Sequence, residues 1–133
     1  MKKVIFLDLG KHPITNNFLK TPKPDKEFFY NLKLVFNNKT KLISLANFVK
    51  PKMMFNDTYA HRASASMTMQ NAYNKLAEKI KKKYDPKKIL EIGSNDGVFI
   101  KNFKKVKNIG VEPCKNLAKI TKNMGIETYD EFW

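Results

Sequence analysis

The run Lys88-Ile-Leu-Glu-Ile-Gly-Ser-Asn-Asp-Gly-Val-Phe-Ile-Lys-Asn-Phe103 constrains this chain more than any other feature. A short apolar strand, Ile89 to Ile92, enters a loop that holds Gly93 and Gly97, and an apolar-periodic segment follows. A second apolar run, Asn108-Ile-Gly-Val-Glu-Pro113, ends on Glu112, nineteen residues after Gly93. Strand, glycine turn, helix, strand and acid form the arrangement that holds an adenosine-bearing cofactor. Glycine lets the backbone turn tightly beside the ligand, and the acid accepts hydrogen bonds from ribose hydroxyls. The middle glycine of the dinucleotide fingerprint is absent: Asn95 stands there, and the pattern is Glu91-x-Gly93-x-x-x-Gly97.

The rest of the chain divides around this segment. Lys3 to Leu9 alternates weakly and predicts a short strand, and Gly10 to Asn17 reads as a turn-rich loop. Phe28, Tyr30, Leu32, Leu34 and Phe36 recur at period two, which predicts a strand with that stripe as its core face. Asn37 to Lys41 reads as a hairpin turn and Leu42 to Phe48 as the return strand. Residues 1–48 therefore form a small antiparallel β lobe. Residues 49–86 hold a short helix from Pro51, a polar loop and a helix over about 68–84, capped by Ser66 or Thr68. Its predicted apolar stripe is Met69, Ala72, Tyr73, Leu76, Ala77 and Ile80. Residues 87–133 carry an α/β pattern: strands at 88–92, 108–111 and 126–129, helices at about 97–105 and 115–124. The fold class expected is α/β, with the first βαβαβ units of a Rossmann-like domain. Two such units leave an open sheet incomplete, so the sequence reads as the front part of a longer protein.

Composition sets the partners. The net charge is +14, but it comes from 25 lysines and one arginine, Arg62, spread along the chain with 14 asparagines. Readers of base edges rely on the planar arginine fork. A nucleic-acid partner is therefore not expected, whereas an anionic small molecule fits the charge. No apolar run approaches the ~18–20 residues of a membrane span. Asp8 ends the N-terminal apolar stretch too early for a leader peptide, so the expected location is cytoplasmic. Cys114 is the one cysteine, which excludes an internal disulfide and a multi-cysteine zinc site.

Four ordered blocks carry a family resemblance. They are Asp8-Leu-Gly-x-x-Pro13-x-x-Asn16-x-Phe-Leu19, Met54-Phe-Asn-Asp-x-Tyr59-Ala-x-x-x-Ser64-x-Ser66, Glu91-Ile-Gly-Ser-Asn-Asp-Gly97, and Gly110-Val-Glu-Pro113-x-x-Asn116-x-Ala118. Together they resemble the S-adenosylmethionine (SAM)-dependent sugar C-methyltransferases. The resemblance implies a zinc-bearing N-terminal lobe, a Rossmann-like SAM domain, and a C-terminal domain that supplies the main catalytic base. It implies methyl transfer to carbon of a nucleotide-linked keto-deoxysugar. On this basis Glu91, Gly93, Asn95, Asp96, Gly97, Glu112 and Pro113 are the candidate cofactor residues. Asp96 is equally a helix cap, Asn95 equally a local turn former, and Glu91 a partner either of the SAM amino-acid end or of loop amides.

The chain departs from the family in three places. The first Cys-x-x-Cys pair of the zinc lobe is missing, and Asn37 and Thr40 stand where the second is expected. An amide and a hydroxyl do not replace soft thiolates, so no zinc is expected. The family's Tyr-x-Tyr-x-Ser-Ser-x-Ser loop is Tyr59-Ala-His61-Arg-Ala63-Ser64-Ala-Ser66 here. Tyr59 and His61 are the candidate catalytic residues on the sugar side, His61 because imidazole titrates near neutral pH. The C-terminal domain is absent from these 133 residues. The rival expectation is a truncated, non-catalytic remnant or a basic anion- or nucleic-acid-binding module.

Overall fold

The computed structural model describes residues 3–22, 25 and 27–133. The chain forms two compact units, Met1–Met54 and Phe55–Trp133.

The first unit is a three-stranded antiparallel sheet of order β1-β2-β3, with β1 at Lys3–Pro13, β2 at Phe29–Asn37 and β3 at Ile43–Leu45. A four-residue helix, α1, follows at Pro51–Met54. β1 is longer than the sequence suggested. The register shifts between Asp8 and Lys11, where the Asp8 carboxylate accepts the Gly10 amide at 3.0 Å, and the strand then resumes through Pro13. The supposed loop start at Gly10 is thus a β-bulge, which absorbs the extra residues without ending the pairing. The aromatic stripe is covered only in part. Val35, on the opposite face of β2, is 3% exposed, whereas Phe28 is 45% exposed and Tyr30 and Phe36 are half-buried. Period two separates the faces, and neither is covered throughout: beside Val35 on the opposite face, Phe29 is 46% exposed.

The hairpin turn falls at the expected place. The Asn37 side-chain oxygen accepts the backbone amides of Lys39 at 2.9 Å and Thr40 at 3.2 Å, while the Lys41 amide donates to the Asn37 carbonyl at 2.8 Å. An asparagine that bonds its own downstream backbone is a local turn former.

The second unit pairs β4 (Lys88–Ile92), β5 (Lys107–Val111) and β6 (Glu127–Tyr129) in parallel, in that order. Helix α3, Lys115–Asn123, buries Leu117, Ala118 and Thr121 against this sheet. Helix α2, Met67–Tyr84, starts where Ser66 Oγ accepts the Met69 amide at 3.2 Å. It ends at Asp85, whose left-handed backbone (φ 40°) closes the last turn. Only part of its predicted stripe is inward. Ala77 is fully buried and Tyr73 packs its ring 5.5 Å from Phe99, while Met69 and Leu76 lie exposed on the neighbouring rows.

The helix expected over 97–105 does not form. A single 3-10 turn, Ile100–Asn102, takes its place. Asn102 Nδ2 donates to the carbonyls of Val98 (3.1 Å) and Phe99 (2.9 Å), so a side chain occupies acceptors that an α-helix would give to backbone amides. Val98, Phe99 and Ile100 are also stiff at χ1 or aromatic. Burial decides the conformation: Val98, Ile100 and Phe103 are at most 2% exposed, and each is worth ~1.5–3 kcal/mol when fully buried.

One face of this sheet is open. Leu90 and Ile92 on β4 are 48% and 54% exposed, and among the described residues β4 pairs on one side only.

Candidate functional site

The carboxyl ends of β4 and β5 converge on one carboxylate. Glu112, directly after β5, is 5% exposed. Its Oε2 accepts the Asn95 amide at 2.8 Å and its Oε1 accepts the Cys114 amide at 2.9 Å. The Gly93 and Ser94 amides both donate to the Val111 carbonyl, at 2.8 and 3.1 Å, which folds the loop back over the strand ends. Gly93 (φ 74°) and Gly97 (φ 75°) occupy the left-handed region that glycine tolerates without strain. A Cβ on Gly97 would lie 3.0 Å from Thr121 Oγ1, so Gly97 also permits the loop to sit on α3. A Cβ on Gly93 would meet nothing within 4 Å, because that position faces open space.

That space is a cavity of about 390 Å³ lined by Phe55, Tyr59, Ile92, Gly93, Asn95, Val111, Glu112, Pro113, Glu131, Phe132 and Trp133. Its size and mixed lining are those of a small-molecule site. A larger, lysine-lined cavity of about 600 Å³ lies at the opposite strand ends, by Lys107 and Glu127. Ligands of open parallel sheets bind beyond the carboxyl ends of the strands, which favours the smaller cavity.

Of the candidate cofactor residues, Gly93, Asn95, Glu112 and Pro113 line the cavity. Glu91, Asp96 and Gly97 do not. Glu91 lies in register with Gly110, and its Oε2 is buried with no hydrogen-bond partner. Burial, with the nearby negative charge of Glu112, raises its carboxyl from an ordinary 4.5 to about 7, against the opposing effect of the Ile100 amide. Asp96 is 2% exposed and turns to the 59–66 segment, where its Oδ2 accepts Ser64 Oγ at 2.5 Å and the Ser64 amide at 3.3 Å. Tyr59 lines the cavity, its ring 5.6 Å from Phe55 and 6.4 Å from His61. His61 is exposed outside the lining, and its carbonyl accepts Asn95 Nδ2 at 3.3 Å.

Several participants were not singled out in the sequence. Ser64 holds Asp96, and Asn116 Nδ2 donates to the Tyr59 carbonyl at 2.8 Å. Both stand inside the matched blocks, where their signal was available. Phe132 and Trp133 complete one wall, and nothing local marks them for it. Cys114 is fully buried. Burial first, and then the Glu112 carboxylate beside it, push its thiol up to about 12, which keeps it neutral and unreactive.

The residues fit an adenosine-bearing cofactor. Gly93 faces the open space of the cavity, and the Glu112 carboxylate retains acceptor capacity beyond its two backbone partners. They do not fit zinc. Residues 1–55 contain no cysteine and one histidine, His12, whose Nε2 contacts the Leu9 carbonyl at 2.9 Å. Asn37 spends its side-chain oxygen on the turn. Among the described residues no three His, Cys, Asp or Glu side chains cluster as a metal site.

Comparison with known proteins agrees with the blocks. Residues 1–55 match a methyltransferase family model described as "Putative zinc binding domain". The chain is 25% identical over 128 residues to C-methyltransferase NovU of Streptomyces niveus, which covers 92% of this chain and 30% of that protein. The family resemblance read from the residues is borne out at this level: the chain is similar to a C-methyltransferase along most of its own length and spans about a third of that protein.

Proposed function

We propose that this chain is the N-terminal portion of a SAM-dependent C-methyltransferase acting on a nucleotide-linked keto-deoxysugar. In this reading residues 87–133 begin a Rossmann-like SAM domain, and residues 1–48 are a zinc-type lobe that works without metal. The 49–86 segment brings Tyr59 and His61 to the acceptor side, and the protein is cytoplasmic. The observation that carries the reading is the cavity at the strand ends where Gly93, Asn95, Glu112 and Pro113 meet. Gly93 and Asn95 would receive the cofactor's backbone-facing side, and Glu112 its ribose hydroxyls. Bound SAM supplies an electrophilic methyl group. The sugar acceptor rests on the four ordered sequence blocks, and methylation at carbon also on the relative's name.

Trp133, the one tryptophan, lines the cavity and reports on it. Titration with S-adenosylhomocysteine (SAH) should give a saturable change in its fluorescence, lost in Glu112→Ala. No change in fluorescence and no heat of binding by calorimetry would sink the cofactor reading.

The larger cavity, with Lys101, Lys104 and Lys107 on its walls, favours a second reading as an anion-binding module. Binding of a duplex oligonucleotide that weakens steeply with salt, without SAH binding, would support it.

A further inference from the structure

Asn95 faces two ways. Its backbone ties the loop to the strand end and to α3: the amide donates to Glu112 at 2.8 Å, and the carbonyl accepts Thr121 Oγ1 at 3.3 Å. Asn95 lines the cavity, and its side chain holds the 59–66 segment, with Oδ1 accepting the Ala63 amide at 2.9 Å and Nδ2 donating to the His61 carbonyl at 3.3 Å. The left-handed backbone (φ 50°) aims the side chain this way, in a conformation that asparagine adopts more readily than most residues. Asp96, the next residue, holds Ser64 through both hydroxyl and amide. The other Asp96 oxygen, Oδ1, is buried and unpartnered, so the Ser64 contact is what satisfies this carboxylate. Gln70 Nε2 then donates to the Ser64 carbonyl at 2.7 Å, which passes the link to α2.

We propose that Asn95 and Asp96 are positioning residues that make the order of the Tyr59–Ser66 segment depend on occupancy of the cofactor cavity. The inference rests on the cofactor reading above. A ligand against Asn95 restrains the backbone that carries both side chains. The restraint reaches three residues, His61, Ala63 and Ser64, through four hydrogen bonds. Tyr59, two residues before His61, itself lines the cavity. Cofactor binding therefore builds the acceptor wall, and by linkage an ordered wall tightens the cofactor.

Hydrogen exchange on the full chain, with and without SAH, tests this. In wild type, SAH should slow exchange across 59–66 as well as in the 93–97 loop. Asn95→Gly retains the left-handed backbone and deletes only the side chain. It should bind SAH about fivefold more weakly, at the low end of coupling factors, and lose the added protection of 59–66 while keeping that of 93–97. Ser64→Ala should reproduce the loss from the other end of the link, and Ser64→Thr, which retains the hydroxyl, should restore it. SAH binding with no change at 59–66 in wild type overturns the coupling alone, as does equal protection in Asn95→Gly. No SAH binding to wild type overturns the cofactor reading and the coupling with it.

Discussion

The carboxylate of Glu112 accepts the backbone amide of Asn95 at 2.8 Å, so the residue read as a ribose ligand is also the clamp of the glycine loop. With its other oxygen on the Cys114 amide, it satisfies one part-buried and one buried backbone donor. Hydrogen bonds to a charged group are worth ~1.5–3 kcal/mol each. Glu112→Gln keeps one acceptor and should destabilise the protein by ~2 kcal/mol in urea unfolding, as one of the two amides loses its partner. The same variant should bind SAH about tenfold or more weakly, equivalent to ~1.4 kcal/mol. A variant as stable as wild type would show that the clamp is dispensable.

Glu91 gives the fold a pH dependence of opposite sign to an ion-paired carboxylate. Its carboxyl is raised from 4.5 to about 7, so between these values the folded chain binds more protons than the unfolded one. Stability attributable to Glu91 is therefore full below about 4.5, falls as pH rises, and is lost above about 7. The difference corresponds to at most about 3 kcal/mol, reduced by partial solvent access. Glu91→Gln should flatten the melting-temperature profile from pH 4.5 to 8 and raise its alkaline end. Parallel profiles for the two proteins would contradict the assignment.

The two loop glycines should separate strain from crowding. Alanine at either position incurs the ~1–2 kcal/mol of a left-handed L-residue. At Gly97 the new methyl also presses on Thr121, 3.0 Å away, and overpacking of that kind adds ~1–3 kcal/mol. Denaturant midpoints should therefore order wild type above Gly93→Ala, and Gly93→Ala above Gly97→Ala. Gly93→Ala places its methyl in the cavity and should be the more harmful of the two to SAH affinity per kcal/mol of stability lost.

The proposed metal-free lobe rests on the Asn37 turn, whose side-chain oxygen accepts two backbone amides. Asn37→Ala removes the acceptor of two exposed backbone bonds and should cost ~1 kcal/mol. The purified protein should contain no stoichiometric zinc by elemental analysis, and a chelator should leave its melting temperature unchanged. One zinc per chain would refute the metal-free lobe.

Where local chemistry acts alone, the sequence was sufficient. Strand–loop–strand over 88–113 lies where the glycines and the apolar runs placed it, Ser66 caps α2, and Asn37 makes its turn. Where a side chain competes with the backbone, or tertiary burial overrides propensity, it was not. A 3-10 turn whose Val98 carbonyl accepts the Asn102 side chain replaced a helix that apolar spacing predicted, and Val35 is more deeply covered than the aromatic stripe. The cavity was half legible: Gly93 and Glu112 announce themselves by type and spacing. The hold of Asn95 and Asp96 on residues 61–64 spans more than thirty positions of sequence, and no local rule encodes it.

Among the described residues strand β4 pairs along one edge only, and its Leu90 and Ile92 are exposed. An open, apolar edge is a template for further pairing, and lysine at its first position is its main deterrent. Protein concentration thus becomes an experimental variable of the same standing as pH or salt. Two copies meeting edge to edge would bury Ile92 beside the very loop that the titrations probe, and dilution would then masquerade as a change in affinity.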